Sequence, residues 1–286
     1  MYGRILEAAP AMTLRHQTLF ITGASRGIGK AIALRAAADG ARIVVAAKTT
    51  TPHAKLPGTI YTAAEEIERA GGEAFPVAMD VRDEGQVEAA IHAAVARFGG
   101  IDILVNNASA ISLTGTADTP MKKFDLMQQV NARASFLCAQ QALPHLRRSA
   151  NPHILNLAPP LMSTLTPRWF GAHLAYTMAK YGMSLCVLGM AEEFRGDGIA
   201  VNALWPRTAI DTAAIGFIMS DAARRRTRLP AIVADAAYLV VTSPARARTG
   251  QFLIDEDVLK ENGVTDFSQY RHPGVSEDEL IADFFV

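Results

Sequence analysis

The chain has 286 residues, half of them hydrophobic, a length that fits one large α/β domain near the upper limit for a single core. Its 28 basic and 28 acidic residues cancel, which argues against a nucleic-acid partner. No window holds the ~18 consecutive apolar residues of a membrane span, and Cys138 and Cys186, without metal-ligand spacing, read as free buried thiols of a reducing, cytoplasmic setting.

Residues 1–16 are expected to be a short extension, not a signal peptide. Strand and helix patterns then alternate. Residues 19–21 form a short apolar strand that enters a glycine-rich turn, and a helix is predicted from 28 to about 38, ended by Asp39-Gly40. Further strands are predicted at 41–47 (ARIVVAA), 74–79, 101–106, 153–157, 199–204 and 251–254. Helical stretches lie near 61–70, 84–98, 121–148, 173–195 and 230–242. Continuous apolar strands between amphipathic helices predict a Rossmann-type doubly wound α/β fold. It has three layers around a seven-stranded, mainly parallel sheet, with ligands at the carboxyl ends of the strands.

Two segments break the rhythm: a Pro-containing loop at 49–59 and a polar tail at 257–286 that ends in an apolar patch. The tail is expected to pack on the body or on a neighbouring subunit. Arg224, Arg225, Arg226 and Arg228 read as a solvated helix face. With no repeat or interdomain linker, residues 1–286 read as one domain.

The first strand runs into Thr22-Gly23-Ala24-Ser25-Arg26-Gly27-Ile28-Gly29. Gly23 suits a tight turn, Gly27 lets backbone amides approach a pyrophosphate, and Gly29 lets the helix sit close to the sheet. The spacing differs from the commoner GxGxxG, and an ordinary turn is the alternative. Position decides for a phosphate cradle: the loop opens the first helix, where free N–H groups and the dipole favour anions. The second strand ends Ala46-Ala47-Lys48, without the carboxylate that binds a ribose 2′-hydroxyl in NAD enzymes. Lys48 and Arg26 are cations suited to a 2′-phosphate, so NADP(H) is expected over NAD(H). Tyr176 and Lys180 stand four apart in a helical stretch and share a face. A nearby ammonium lowers the pKa of a phenol from its usual ~10 and fits it for proton transfer.

These residues carry a resemblance. TGASRGIG resembles the cofactor loop of the short-chain dehydrogenase/reductase family. Asn106-Asn107-Ala108-Ser109 is similar to its NNAG, Tyr176-Thr177-Met178-Ala179-Lys180 matches its YxxxK, and Pro206 stands where it has a Pro-Gly turn. The motifs cover residues 17–255 in the family's order. Longer stretches, among them NNASAISL and VNALWPRTAI, are similar to one branch in which a sterol-carrier domain follows. With few residues after strand seven, that domain is expected to be absent.

The resemblance implies a dinucleotide-binding oxidoreductase that moves a hydride between nicotinamide and a carbonyl or alcohol. Tyr176 is then the acid/base, and Lys180 its partner and a donor to the nicotinamide ribose. Asn131 holds a water that links Lys180 to solvent. Cofactor contacts are expected from Gly23, Ser25, Arg26, Gly27, Ile28, Gly29, Lys48, Asp80, Val81, Asn107, Ala108, Tyr176, Lys180, Pro206 and Thr208, with Asp80 beside the adenine and Thr212 a further pyrophosphate contact.

There are departures from the pattern. The family's serine positions after strand five carry Ala158 and Pro159, which offer no side-chain donor. Of Ser163, Thr164 and Thr166, Ser163 is expected to replace it. Glu256 stands where a glycine is expected after Asp255, and His173 is expected to face solvent. A substrate wall is expected from Leu161, Met162, Trp169, Phe170, Trp205, Ile215, Phe217, Ile218 and Met219. It suits a hydrophobic carbonyl or alcohol, with a fatty-acyl or lipid derivative as the expected example. A homodimer or homotetramer is expected through the helices near 121–148 and 173–195. The alternative from another class is an NADP(H)-binding sensor or scaffold with little or no turnover. A sugar epimerase fits less well, because its substrate domain is normally larger.

Overall fold

The structure is a computed structural model that describes residues 12–52, 56–161 and 167–286. Seven strands form one sheet: β1 (Thr18–Thr22), β2 (Arg42–Ala47), β3 (Glu73–Ala78), β4 (Ile103–Asn106), β5 (His153–Leu157), β6 (Ala200–Trp205) and β7 (Phe252–Ile254). Their order is β3-β2-β1-β4-β5-β6-β7, and every pairing is parallel. The predicted doubly wound sheet is the observed one. Strands β1, β4, β5 and β6 are buried from end to end, which is why their sequences run apolar without alternation. Edge strand β3 is half-buried and carries Pro76, whose missing N–H no second neighbour requires.

Flanking the sheet are α1 (Gly27–Ala37), α2 (Ile60–Arg69), α3 (Glu84–Phe98), α4 (Met121–Met127), α5 (Ala134–Leu146), α6 (Pro167–Glu193), α7 (Asp221–Arg224), α8 (Ala231–Val241) and α9 (Asp255–Glu261). Ile32 and Ala33 of α1, Ile67 of α2, and Ile232 and Val240 of α8 pack on one face of the sheet. Ile91 of α3, Leu137 and Cys138 of α5, and Met183 and Val187 of α6 pack on the other. Cys138 is fully buried, and burial pushes its thiol up to about 12; Cys186 is half-buried. Among the described residues no helix is long and apolar enough to cross a membrane.

Two expectations are corrected. The single long helix of 121–148 is α4 and α5 joined by a π-helical turn, Gln128–Arg133. Arg228 does not belong to a solvated face. It is fully buried and pairs with Glu256 and Glu277, while Arg224 pairs with Asp211. The polar tail begins as helix α9, whose first turn carries Asp255, Glu256 and Asp257 against the positive helix end. Its last residues return over this chain's own body. Ala209 N donates to Ile281 O at 2.9 Å, and Asp283 N to Arg207 O at 3.0 Å.

Candidate active site

The crevice lies where the strand order reverses, between β1 and β4. Gly23 and Gly27 hold left-handed backbone, with φ of 69° and 59°, which side chains other than glycine seldom tolerate. The β4 end pins the loop. Asn107 Nδ2 donates to Thr22 O at 2.8 Å and to Gly23 O at 3.2 Å, and Thr22 Oγ1 accepts from the amides of Asn107 and Ala108, both at 3.0 Å. Gly29 admits this lock: a Cβ there would collide with Asn107 Nδ2 and lie 2.9 Å from Gly23 O. Its close neighbour is therefore the β4 end as much as the sheet face. Gly29→Ala is expected to cost about 1–3 kcal/mol by overpacking, read by denaturant titration.

The loop fits a dinucleotide phosphate. Helix α1 starts at Gly27 with no side-chain cap, whereas Thr59 caps α2 and Asp83 caps α3. Its first amides are thus left for an anion. Across the crevice, Thr208 Oγ1 is buried without a protein partner among the described residues, and a Cβ on Gly27 would stand 3.4 Å from the Thr212 methyl. Ser25 and Val81 are buried, and Pro206 closes β6.

The two cations expected near a 2′-phosphate differ in setting. Arg26 Nε donates to Pro57 O at 3.1 Å and Nη2 to Gly58 O at 2.7 Å, so it holds the 56–58 loop over the glycine turn. Lys48 is exposed just beyond β2. Asp80 is clasped by Arg82 through contacts of 2.9 and 2.6 Å. That hydrogen bonding, with smaller help from the charge of Lys48, holds its carboxyl below the usual range.

Helix α6 carries Tyr176 and Lys180, both buried on one face, after a kink at His173. Lys180 Nζ donates to Leu157 O at the end of β5 at 2.5 Å and sits 4.8 Å from the centre of the Trp205 ring. Gly182 lets α6 approach the π-helical turn; a Cβ there would stand 2.6 Å from the Ala132 methyl. The turn places Asn131, fully buried, beside this face. Asn131 Oδ1 accepts from Ala110 N at 2.8 Å and Nδ2 donates to Ala110 O at 3.0 Å. With its amide committed to the loop after β4, a water relay is left the Asn131 carbonyl, which accepts from Ser135 Oγ at 2.8 Å.

Burial dominates the electrostatics. The lowering of the Tyr176 pKa expected from Lys180 is not what the structure gives: burial pushes the phenol far up, helped by the charge of Asp283, and pulls Lys180 down to about 7, against Asp283. Burial also raises Asp283 to about 7, with the charge of Asp255 adding and that of Lys180 opposing.

Ala158 is fully buried at the β5 end and offers no donor; Ser184 Oγ donates to Pro159 O at 2.7 Å. Ser163, Thr164, Thr166 and Met162 lie outside the described residues. His173, expected in solvent, is buried; its Nδ1 lies 3.1 Å from Thr177 Oγ1 and its ring packs on Tyr176. Of the expected substrate wall, Leu161, Trp169, Phe170 and Trp205 gather around Tyr176. Ile215, Ile218 and Met219 do not join that cluster, and Ile218 is exposed. Among the residues that do join it, sequence reasoning missed Phe284 and Phe285. The one signal for them was the apolar end of a polar tail.

The 3-2-1-4-5-6-7 parallel sheet, the glycine loop at its switch point and the tyrosine–lysine pair one helical turn apart define a Rossmann-type oxidoreductase. The chain belongs to the short-chain dehydrogenase family, whose model matches residues 17–221. Members of this family use a nicotinamide cofactor. The chain is 61% identical over 270 residues to hydroxysteroid dehydrogenase-like protein 2 of Danio rerio, covering 94% of this chain and 63% of that protein. The Rattus norvegicus protein of the same name is 60% identical, again over 94% of this chain but 50% of its own. The chain therefore spans about half to two thirds of the length of these curated relatives. Among solved structures, a candidate dehydrogenase of Xanthomonas campestris is 57% identical with a TM-score of 0.91, covering 96% of this chain and 99% of its own. A short chain dehydrogenase of Mycobacterium thermoresistibile is 51% identical with a TM-score of 0.89, covering 96% of each chain.

Proposed function

We propose that residues 1–286 form one NADP(H)-dependent oxidoreductase domain that moves a hydride between nicotinamide and a hydrophobic carbonyl or alcohol. The observation that carries this reading is Tyr176 and Lys180 on one buried face of α6, with Lys180 reaching the end of β5, the strand next to β4 whose end pins the glycine loop. A bound nicotinamide would supply or accept the hydride. Tyr176 gives or takes the proton at the substrate oxygen. Its raised pKa keeps the phenol protonated near neutrality, the form that reduction needs. Lys180 in its charged form stabilises the phenolate left behind. Asn131 holds the loop after β4 that borders this face. Ser163 is the proposed donor in place of the serine absent at 158; unchanged turnover in Ser163→Ala would remove it.

The glycine loop, Thr208 and the first amides of α1 take the pyrophosphate. The exposed Lys48 takes the 2′-phosphate, with Arg26 supporting through the 56–58 loop. Lys48→Glu is expected to lower the NADPH-over-NADH preference by about 10–100-fold, the weight of one charge-assisted hydrogen bond. Steady-state kinetics with both cofactors checks it.

The aromatic surroundings of Tyr176 support an apolar substrate, fatty-acyl or lipid derived. A homodimer or homotetramer through α5 and α6 is supported by exposed Phe136, Met178, Leu185 and Leu188 on those helices, and a cytoplasmic setting by the free thiols Cys138 and Cys186. Sedimentation as a monomer would overturn the oligomer. An NADPH-oxidation screen over aldehydes, ketones and acyl-CoA esters tests the whole reading. Ala158 favours a second reading, a nucleotide-binding sensor with little turnover. NADPH binding without reduction of any carbonyl would select it.

A further inference from the structure

The residues after 280 cross the candidate site. Thr208 and Ala282 form an antiparallel bridge, so the segment is tied to the loop that carries a proposed pyrophosphate contact. Trp205 Nε1 donates to Phe284 O at 2.7 Å, which fixes the backbone at the rim. Phe285 then turns inward with φ of 69°, a left-handed conformation unfavourable for a phenylalanine. Its ring is 1% exposed. It stacks on Tyr176 with centroids 6.2 Å apart, and meets Trp169 at 5.6 Å, Trp205 at 5.8 Å and Tyr181 at 5.5 Å. Half-buried Asp283 lies in the same segment, and its charge acts on Lys180. The apolar space beside the Tyr176 ring is therefore occupied by a side chain of this chain, held against its backbone preference by packing and by the hydrogen bonds of the residues just before it.

We infer that Phe285 is a specificity-determining residue: it forms the apolar end wall of the substrate site and sets the size of the group accepted beside Tyr176. This rests on the oxidoreductase reading above. Groups that fit beneath the Phe285 ring reach the phenol, and longer chains must displace the ring. The neighbours that would touch a longer chain, Trp169, Phe170 and Leu161, are apolar, so the limit is one of volume and not of polarity.

The test is the ratio of kcat/KM for dodecanal to that for propanal, with NADPH, in the wild type, Phe285→Leu and Phe285→Ala. The ratio is expected to rise about tenfold or more in Phe285→Ala, within the range that a few methylenes contribute in an apolar pocket, and by less in Phe285→Leu. A purely structural role would scale both substrates together, so an unchanged ratio in both variants overturns the inference and leaves the oxidoreductase reading standing. Phe285→Leu, which keeps most of the side-chain volume, guards against loss of folding. Emission from Trp169 and Trp205, the chain's two tryptophans, reports whether the segment is seated, since both touch it. If NADPH binds but neither wild type nor variant reduces any aldehyde, the oxidoreductase reading falls and this inference with it.

Discussion

Tyr176→Phe is expected to lower the turnover of carbonyl reduction by about 10²–10⁴-fold while NADPH binding stays within a few-fold. The substitution removes one hydroxyl and keeps the ring, whose packing against Phe285 and His173 holds this part of the chain together. The loss therefore reads proton transfer and not folding. Isothermal titration with NADPH and single-turnover reduction separate the two effects. Undiminished turnover would remove Tyr176 as the acid and favour the sensor reading. The pH profile carries a second expectation on the same pair. Burial lowers Lys180 to about 7 from its ordinary value. The ammonium is thus present below that pH and lost as pH rises through it, and with it goes the stabilisation of the phenolate. In the free enzyme, kcat/KM for reduction should fall on the alkaline side, with its midpoint near 7.

The sequence announced those parts of the molecule whose causes are local. Helix α3 is predicted at 84–98 and observed there, because Asp83 caps its start through Gln86 N and Gly99 ends it in a left-handed conformation. Strand β5 is likewise found at its predicted bounds, as a buried apolar run between turns. The glycine loop and the Tyr176–Lys180 spacing are short-range patterns and were legible for the same reason. What depends on distant partners was not. The π-helical turn has no periodicity of its own, and only the approach of α6 at Gly182 makes sense of it. Arg26 reads as a phosphate ligand by position, and nothing local announces that its Nε and Nη2 also reach the carbonyls of Pro57 and Gly58. His173 reads as a surface residue, but the returning tail covers it through Phe284, 5.0 Å from its ring. The tail was legible as apolar; its destination was not.

Arg228 shows the same limit and carries the largest expected effect on stability. Its guanidinium is fully buried, donates to Glu256 Oε1 at 2.9 Å, contacts Glu277, and lies 5.4 Å from the centre of the Phe267 ring. Removing one member of such a cluster strands the others, typically at about 3–5 kcal/mol. Glu277 is 56% exposed and can turn to water, but Glu256, 7% exposed, cannot. Lys260 at 3.2 Å and Arg207 at 3.5 Å remain near Glu256, so the lower end, about 3 kcal/mol, is expected for Arg228→Ala. Calorimetry should show a thermal midpoint lower by roughly 10 °C. Arg228→Lys should not rescue it, since a single ammonium cannot span both carboxylates as the guanidinium fork does. Arg228→Met with Glu256→Met should recover most of the loss, because Glu256 is then no longer left as a stranded buried charge. The glutamate that replaces the expected glycine after Asp255 thereby gains a reason: it is the counter-ion of Arg228. That pair also has a bearing on the site. Arg228 N donates to Ala209 O at 2.9 Å, next to Thr208, and Glu277 precedes the segment that ends at Phe285. The ion cluster fastens the proposed pyrophosphate loop and the residues that cover Tyr176 to the same point on α9. Its loss should therefore weaken NADPH binding as well as the fold, and the paired methionine variant should restore both.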